Sequence, residues 1–331
     1  TKVMPTVTPT DSPTPSPEPS PTKEPTPTPD HPVFTFINPP GNTILKGDKG
    51  TDFNGQYTDP GAVVYDSGLF HMYYNNLHGY PPKSVGIGYA VSEDGISWER
   101  VSQESILTIS DLPFEAQSFN VTDVIVNREG TWMMYIQTRD EYGGKVPGRI
   151  GVATAPGAEG PWTFHPEPVL SPDPGAWDSF SIHRSCVVET DEGYNMYFIG
   201  YDEGATKPYI GLATSPDGIT FTKYDDPDTT DEKFALSDPI ITPKRFFLSD
   251  DTQLRYPNVF LTDEGWIMFY RTTEHSTQSK SQIHFATSED GIHWKKGSFD
   301  PMLTFRDVGN FTVIWVATIE KVDDTYYLYM E

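Results

Sequence analysis

The sequence has 331 residues, a formal net charge of −24 at pH 7 and 13% aromatic side chains. This excess of acidic residues disfavours nucleic acid or an anionic membrane as a partner, because both attract clustered Lys and Arg. No apolar run reaches the roughly 18 residues that a transmembrane helix needs, so the sequence predicts no membrane span.

Residues 1–31 consist almost entirely of Thr, Pro, Ser and charged residues. Such a segment buries little apolar surface, and its prolines favour extended conformations. It therefore predicts a disordered linker or stalk, either O-glycosylated or unmodified, before a domain at 32–331. A start at Thr1 is also what a removed leader leaves, so we expect an extracellular protein, secreted or tethered to the cell surface. The stalk would then allow contact with a cell wall or self-association.

A unit with the same pattern recurs along the rest of the chain. Each copy has an apolar strand, a tight polar turn, an aromatic-rich strand, a third strand and an Asp-Gly turn before a fourth strand, as in SEDGISWERV (92–101), SPDGITFTKY (215–224) and SEDGIHWKKG (288–297). Short strands with radial repetition are typical of a β-propeller. Five starts predict a five-bladed β-propeller of four-stranded antiparallel blades. The fifth unit stops after its second strand, so residues 33–46 are predicted to complete blade five.

The turns and the strand starts have different predicted roles. The Asp of each Asp-Gly turn is expected to cap the turn, and the aromatic residue after it to pack between blades. The starts of the first strands are expected at one mouth of the propeller, where the repeats differ from each other. The differing residues are Asp59, Asp123, His183, Arg184, Arg255, Tyr256 and Trp315. Such a set suits the binding of a polar ring.

Several short segments of the sequence together resemble a known group of proteins. These segments are DPG (59–61), VVYDSGLFHMYY (63–74), GAWDSFSIHRSCVV (175–188), ATSPDGITF (213–221) and ATSEDGIHW (286–294). Residues 33–331 resemble the five-bladed propeller glycoside hydrolases, which include arabinofuranosidases, xylosidases, invertases, fructanases and relatives that act on mannosides and algal sugars. The resemblance implies a carbohydrate substrate.

The resemblance also implies roles for individual residues. Asp59 matches the Asp before Pro that is the general base or the nucleophile, and Asp123 is the nearest match to a second, supporting Asp. The chain departs from the pattern where these enzymes carry a catalytic Glu, because those positions read His183, Arg184 and Arg255. His183, which matches a histidine acid of some relatives, is then a candidate acid, and Glu203 and Glu274 are the carboxylate alternatives. Glu274 is also a candidate substrate-binding residue, like the two arginines, Tyr256 and Trp315.

The main prediction is a glycoside hydrolase that uses acid/base catalysis in the central funnel. The alternative is a non-catalytic propeller that binds carbohydrate or builds a surface layer or fibre, which the missing Glu favours. A sialidase is disfavoured, since it needs six blades and a different turn spacing. We expect no cofactor or catalytic metal, although a structural Ca²⁺ on the axis occurs in the resembled families.

Other polar residues have structural interpretations. Cys186 lies in an apolar strand pattern and is predicted to be a buried, unreactive thiol. Asp52, Asp178 and Asp251 precede first strands and are predicted to cap them. Asn120 and Asn310 fit the N-glycosylation pattern but receive little weight.

Overall fold

The computed structural model describes a part of the chain that contains the sheets. The described residues are 34–37, 45, 57–78, 83–139, 147–202, 208–242, 252–274, 281–297, 301–304, 306–307, 314 and 317–330. They belong to a compact unit, Phe34–Glu331, that is distinct from a first unit, Thr1–Val33. The predicted stalk at 1–31 lies outside the described residues.

Four repeats form blades of at least four antiparallel strands. The first blade contains β1 (Tyr57–Asp66), β2 (Leu69–His78), β3 (Lys83–Ser92) and β4 (Glu99–Arg100). The second contains β5 (Ser118–Val126), β6 (Trp132–Arg139), β7 (Arg149–Ala155) and β8 (Thr163–Phe164). A 3₁₀ helix (Ile109–Asp111) lies between these two blades in the chain.

The third and fourth blades each carry one additional short strand. The third contains β9 (Ser181–Thr190), β10 (Gly193–Tyr201), β11 (Tyr209–Ser215), β12 (Thr222–Lys223) and β13 (Pro239–Ile241). A second 3₁₀ helix (Glu232–Phe234) precedes β13. The fourth contains β14 (Thr252–Thr262), β15 (Gly265–Glu274), β16 (Gln282–Ser288), β17 (Lys295–Lys296) and β18 (Leu303–Thr304).

The prediction of five four-stranded blades is wrong, because the structure is a four-bladed propeller. Among the described residues, the fifth repeat forms a two-stranded sheet, β19 (Ala317–Val322) and β20 (Thr325–Met330). The physical reason is that the described residues here supply apolar and aromatic strands for two positions of a sheet. Phe34 packs edge-on against Phe269, Phe285 and Tyr326, but residues 34–37 are not in a strand. Residues 38–44 lie outside the described part, so the proposed completion of a blade by 33–46 stays a prediction.

The first strands line the centre of the molecule. β1, β5, β9 and β14 contact their neighbours in that order, and β19 contacts both β14 and β1. Apolar clusters lie between successive sheets, since aromatic and branched side chains from facing sheets are buried together. The first strands all run in the same sense, so their starts share one end of the channel, which we call the mouth. The turns between first and second strands, and the Asp-Gly turns, lie at the opposite end.

Every first strand of the four blades has a β-bulge near the mouth. The register shifts between Pro60 and Ala62, between Val121 and Asp123, between the partners of Tyr197 and Ile199, and between Arg255 and Asn258. A bulge bends its strand and changes the direction of the neighbouring side chains. Beyond the bulges the first and second strands are in register again. One position of the first strand then lies opposite an aromatic residue of the second strand in every repeat, and it is occupied by Ala62, Asp123, Cys186, Asn258 and Thr318.

That equivalent position links neighbouring first strands. The Asp123 Oδ2 atom accepts the Val187 N–H at 2.6 Å, and the Cys186 Sγ atom accepts the Val259 N–H at 3.2 Å. In the same way the Asn258 Oδ1 atom accepts the Ile319 N–H at 3.0 Å. Each bond satisfies a backbone donor that faces the channel, where it has no strand partner.

The prediction for the Asp-Gly turns is confirmed by the structure. Asp94 Oδ1 accepts the N–H groups of Ile96 and Ser97 at 2.8 and 2.7 Å, and Asp217 and Asp290 repeat this arrangement. Hydrogen bonds from Ser97 and Ile96 lower the pKa of Asp94 to about 2. These carboxylates are therefore occupied by the turn, at the end of the molecule away from the mouth.

The aromatic residue of each turn region packs on a tyrosine of the preceding repeat, as predicted. The pairs are Trp162 on Tyr73, Phe221 on Tyr135, Trp294 on Tyr197 and Trp98 on Tyr329. The same four tyrosine hydroxyls donate to turn carbonyls of the next blade, namely Ala158, Gly218, Gly291 and Gly95. We call this arrangement the tyrosine clasp. Each clasp combines aromatic contact with a buried hydrogen bond, together about 1–3 kcal/mol.

Candidate functional site

Asp59 lies at the mouth, near the start of β1 and directly before the bulge. It is 5% exposed, and within the described part of the chain its Oδ1 atom has no hydrogen-bond partner. A buried carboxylate oxygen without a partner is costly in an ordinary core, which makes it a candidate for contact with a ligand. The equivalent positions in β5, β9 and β14, counted back across the bulges, are Asn120, His183 and Arg255.

Arg184 joins Asp59 to the opposite side of the mouth. Its Nη2 atom is 3.9 Å from Asp59 Oδ2, and its guanidinium lies 4.7 Å from the centre of the Tyr256 ring. The 3.9 Å separation is too long for a hydrogen bond but supplies a counter-charge to the carboxylate. Residues from the first, third and fourth blades therefore meet at this point.

Both Arg184 and Tyr256 adopt an uncommon backbone conformation. Their φ angles are 46° and 54°, in the left-handed region that residues other than glycine rarely occupy. Each lies in the bulge of its first strand, and the Arg184 N–H donates to Gln137 Oε1 at 2.8 Å. Strain of about 1–2 kcal/mol at each residue is maintained where side-chain placement matters for function.

Arg255 and Arg271 add two more guanidinium groups beside Arg184. Arg255 donates through Nε and Nη2 to Gln253 Oε1 at 3.2 and 3.0 Å, and its guanidinium lies 5.9 Å from the centre of the Tyr201 ring. Arg271 is 3% exposed, donates to Ser281 Oγ at 3.1 Å and lies 5.6 Å from the Tyr256 ring centre. Burial, together with the charges of Arg255 and Arg184, lowers the pKa of Arg271 to about 10. We call Arg184, Arg255, Arg271, Tyr201 and Tyr256 the arginine cluster.

His183 borders this cluster. Its Nε2 atom is 2.7 Å from Ser181 Oγ, and its ring makes an edge contact with Tyr201 at 5.3 Å between centres. Ser181 Oγ in turn accepts the Gly148 N–H at 3.0 Å. The serine therefore fixes the orientation of the imidazole, with the proton on a nitrogen that the hydrogen-bond geometry alone does not identify.

Asp123 does not lie with Asp59 at the mouth. It stands three residues beyond the position equivalent to Asp59, because the bulge of β5 falls between the two. Both of its oxygens accept backbone N–H groups, from Val124 at 2.9 Å and Val187 at 2.6 Å. The structure therefore shows a strand-linking residue in the channel wall, and its supporting role in catalysis stays a prediction.

A cavity of about 300 Å³ lies in the channel beyond the bulges, with Asp123, Cys186, Asn258, Thr318 and Glu320 among its lining residues. Burial raises the pKa of Asp123 to about 7, although hydrogen bonds from Val187 and Val124 oppose this. Burial also raises the pKa of Glu320 to about 8, and the charge of Asp123 adds to the effect. Burial raises the pKa of the Cys186 thiol well above its ordinary value, which agrees with an unreactive thiol.

The carboxylates that line the channel accept hydrogen bonds from backbone N–H groups of the described residues. The Asp123 oxygens are occupied by backbone donors, and Glu320 Oε1 accepts the Tyr65 N–H at 2.8 Å. Across the described ranges, no group of three or more His, Cys, Asp or Glu side chains could hold a metal ion. Ca²⁺ also binds carbonyl and water oxygens, so the structural Ca²⁺ on the axis stays a prediction.

The remaining predicted residues have varied placements. Glu203, Trp315, Asp52, Asp251 and Asn310 lie outside the described residues, and Glu274 ends β15 with a side chain that is not described. Asp178 is fully buried, pairs with Lys223 and accepts the Asp173 N–H, so its contacts are structural, and capping of β9 by this residue stays a prediction.

Sequence reasoning missed three residues near the mouth. Tyr201 and Arg271 come from the mouth ends of second strands, whereas the candidates from the sequence come from the starts of first strands and from the region just after second strands. The sequence does indicate Arg271, because it is a charged residue at the end of the otherwise apolar and aromatic segment WIMFYR (266–271). Phe180 precedes β9, is 48% exposed, and its N–H donates to the Tyr201 carbonyl. An exposed aromatic ring beside the cluster is a surface on which a sugar ring can stack.

Comparison with known proteins supports the fold. No family model matches the sequence. A xylosidase/arabinosidase 43A from Humicola insolens is 28% identical over 162 residues, which cover 49% of this chain and 40% of that protein. The matched stretch is thus less than half of this relative's length.

Solved structures match over much more of the chain. One match is a structure from work on the GH130 family of mannoside phosphorylases, which contains glycoside hydrolases that target β-1,2 mannosidic linkages in Candida mannan. The match covers 92% of this chain and 92% of that chain, at 19% identity and a TM-score of 0.63. A glycosyl hydrolase from Bacteroides ovatus matches 89% of this chain and 90% of its own at 18% identity and a TM-score of 0.63. A family 117 glycoside hydrolase from the marine bacterium Zobellia galactanivorans matches 79% and 75% at 17% identity and a TM-score of 0.57.

These likenesses define the class of fold. The structures that this chain resembles are β-propeller glycoside hydrolases, and the chain shares their architecture. Identities below 20% establish the fold and do not carry an activity over, because one fold serves many functions. The residues at the mouth must therefore support any functional conclusion.

Proposed function

We propose that the chain is a glycoside hydrolase that cleaves a polysaccharide or oligosaccharide, with Asp59 as its catalytic carboxylate. The observation that carries the proposal is the placement of Asp59: buried at the mouth, with one oxygen unpartnered and a guanidinium 3.9 Å from the other. Structural likeness to glycoside hydrolases supports the same reaction class.

The chemistry requires two groups at the anomeric centre. Asp59 would remove a proton from the attacking water, or would itself attack the anomeric carbon as the nucleophile. The glycosidic oxygen must receive a proton as its bond to that carbon breaks. His183, at the position in β9 equivalent to Asp59, is our candidate for this proton donor, with Ser181 as its positioning residue.

Arg184 has a supporting role in this proposal. Its guanidinium balances the negative charge of Asp59 while remaining beyond hydrogen-bond distance, so both Asp59 oxygens stay available to water or substrate. Placement of the protein outside the cell is part of the proposal and is supported by the composition of residues 1–31. The described residues contain no helix of the length and apolarity that crossing a membrane requires.

Asp59→Asn tests the proposal directly. The substitution keeps the shape of the side chain and removes its basicity, so we expect release of sugar from a cleaved glycan to fall by about 10²–10⁴-fold. The melting temperature should stay close to that of the unchanged protein. The matched control is Asp191→Asn, a turn residue at the other end of the molecule whose side chain is 93% exposed. Full turnover by Asp59→Asn on a glycan that the unchanged protein cleaves would refute the assignment.

A second function is a non-catalytic glycan-binding propeller. It is favoured by the residues at the positions equivalent to Asp59, since Asn120, His183 and Arg255 provide no second carboxylate there. Glycan arrays and reducing-end assays on the same glycans separate the two functions. Binding without release of any product would support the second function and contradict the first.

A further inference from the structure

Arg184 and Arg255 carry positive charge with little compensation from the described residues, although the chain as a whole is strongly acidic. Within the described residues, the single ion pair of Arg184 is the long contact with Asp59, and Arg255 has none. Burying cations without carboxylate partners is unfavourable unless another group supplies the missing interactions.

The two guanidinium groups are nevertheless held in place. Arg255 is fixed by two bonds to one neutral oxygen of Gln253 and lies over the Tyr201 ring. Arg184 lies over the Tyr256 ring, and among the described residues its guanidinium donates no hydrogen bond. Neutral oxygens and aromatic faces orient a guanidinium while leaving donors for an incoming group.

A purely structural stack of arginine and tyrosine explains these contacts less well. Such a stack does not need left-handed backbone at Arg184 and Tyr256, which the bulges impose on both sides of the mouth. An oxyanion that receives hydrogen bonds from planar guanidinium groups would account for the charge, the preorganisation and the position together.

We propose that the mouth recognises a glycan that carries an oxyanion substituent, a carboxylate or a sulfate, through Arg184 and Arg255. This inference rests on the proposed function for the choice of a glycan. Because Arg184 lies 3.9 Å from Asp59, the charged substituent belongs to the sugar next to the reacting bond or to its immediate neighbour.

The test measures binding of matched oligosaccharides to the full chain by calorimetry. The probes are a neutral galactan oligosaccharide, an oligogalacturonide and a sulfated galactan oligosaccharide of equal length, each at low and high salt. We expect the charged probe of the correct type to bind at least about tenfold more tightly than the neutral one, with the preference reduced by salt. The two charged probes distinguish the carboxylate from the sulfate.

Substitutions then assign the preference to the cluster. Arg255→Gln and, independently, Arg184→Gln should remove the preference for the charged probe while the melting temperature confirms folding. Arg255→Lys should restore only part of it, since lysine keeps the charge but not the planar fork. The control is Arg128→Gln, an exposed arginine in the turn at the opposite end of the channel.

The outcomes separate this inference from the proposed function. Preferential binding that depends on Arg184 and Arg255, without cleavage, supports the inference and contradicts the hydrolase. Cleavage of neutral glycans with no preference for charged ones supports the hydrolase and overturns the inference. Equal binding of all probes, no binding of any probe, or an unchanged preference in both glutamine variants also overturns it.

Discussion

Replacement of Asp123 by Asn should change how the stability of the protein depends on pH. The Asp123 carboxyl lines the channel cavity, and burial raises its pKa to about 7 from an ordinary value of 3.8. The folded protein therefore retains a proton that the unfolded chain has already released at neutral pH. A group of this kind stabilises the fold most below pH 3.8, and its contribution declines as the pH rises toward 7 and levels off above it.

The magnitude follows from the two pKa values. The full contribution is at most about 4 kcal/mol, at about 1.4 kcal/mol for each pKa unit of difference. Between pH 6 and 8 the folded carboxyl releases its proton, so we expect the unfolding free energy to decrease by about 1–2 kcal/mol from this group. Glu320 acts in the same direction, because burial raises its pKa to about 8 and the charge of Asp123 raises it further.

The assay is urea unfolding monitored by tryptophan fluorescence at several pH values from 6 to 8. The quantity of interest is the difference in unfolding free energy between the unchanged protein and Asp123→Asn. His284 contributes with the opposite sign at the lower end of this range, because burial lowers its pKa to about 3, but it is present in both proteins and cancels. The advantage of the unchanged protein should shrink as the pH rises, and Asp191→Asn should show no such trend.

A difference that stays constant from pH 6 to 8, or that grows with pH, would refute this reasoning. It would show that Asp123 is ionised in the fold near its ordinary pKa. The hydrogen bonds from Val124 and Val187 would then outweigh burial.

Two further predictions concern packing and binding. Gly61→Ala should destabilise the fold by about 1–3 kcal/mol in urea unfolding, because a Cβ atom there would lie 2.2 Å from Val121 Cγ1 and 2.7 Å from the Tyr73 carbonyl oxygen. The control is Gly157→Ala, where an added Cβ atom would have no neighbour within 4 Å, and an equal effect of the two substitutions would contradict the packing argument. Phe180→Ala should weaken binding of the preferred oligosaccharide by about 1–3 kcal/mol without lowering the melting temperature, since the exposed Phe180 ring offers a stacking surface. Unchanged affinity in calorimetry would exclude Phe180 from the site.

The repeating features were predictable because each depends on short-range chemistry. An Asp that accepts the N–H groups two and three residues after it forms the same turn wherever the Asp-Gly pattern recurs, as at Asp94, Asp217 and Asp290. The convergence of Asp59, Arg184, Arg255 and Tyr256 also follows from the repeat, since equivalent strand starts share one end of a propeller.

The misplacement of Asp123 has a physical cause. A bulge adds one residue to a strand without a signature that distinguishes it from regular alternation, and all four blades contain one before this position. Aligning the repeats by their apolar segments alone therefore does not show on which side of the bulge a residue lies. The mouth residue of the second blade is Asn120, which is 2% exposed.

The predicted number of blades was wrong for a different reason. The fifth repeat has the apolar and aromatic pattern of the first two strands of a unit in Ala317–Val322 and Thr325–Met330, so a count of starts includes it. The strand pairing that would complete a sheet depends on distant segments, and a local pattern does not encode it. Arg271 and Tyr201 were missed because their role depends on contacts between blades.

The tyrosine clasp makes the ring resistant to change in length. Each hydroxyl supports a turn in the following repeat, as Tyr329 does for Gly95 and Tyr135 does for Gly218. Loss of the first, second, third or fifth repeat would leave the next one without its anchoring hydroxyl, and loss of the first, third or fourth would also remove part of the mouth. Deletion of a whole unit would therefore break at least one clasp, whereas substitution of a single residue at the mouth leaves all four clasps intact.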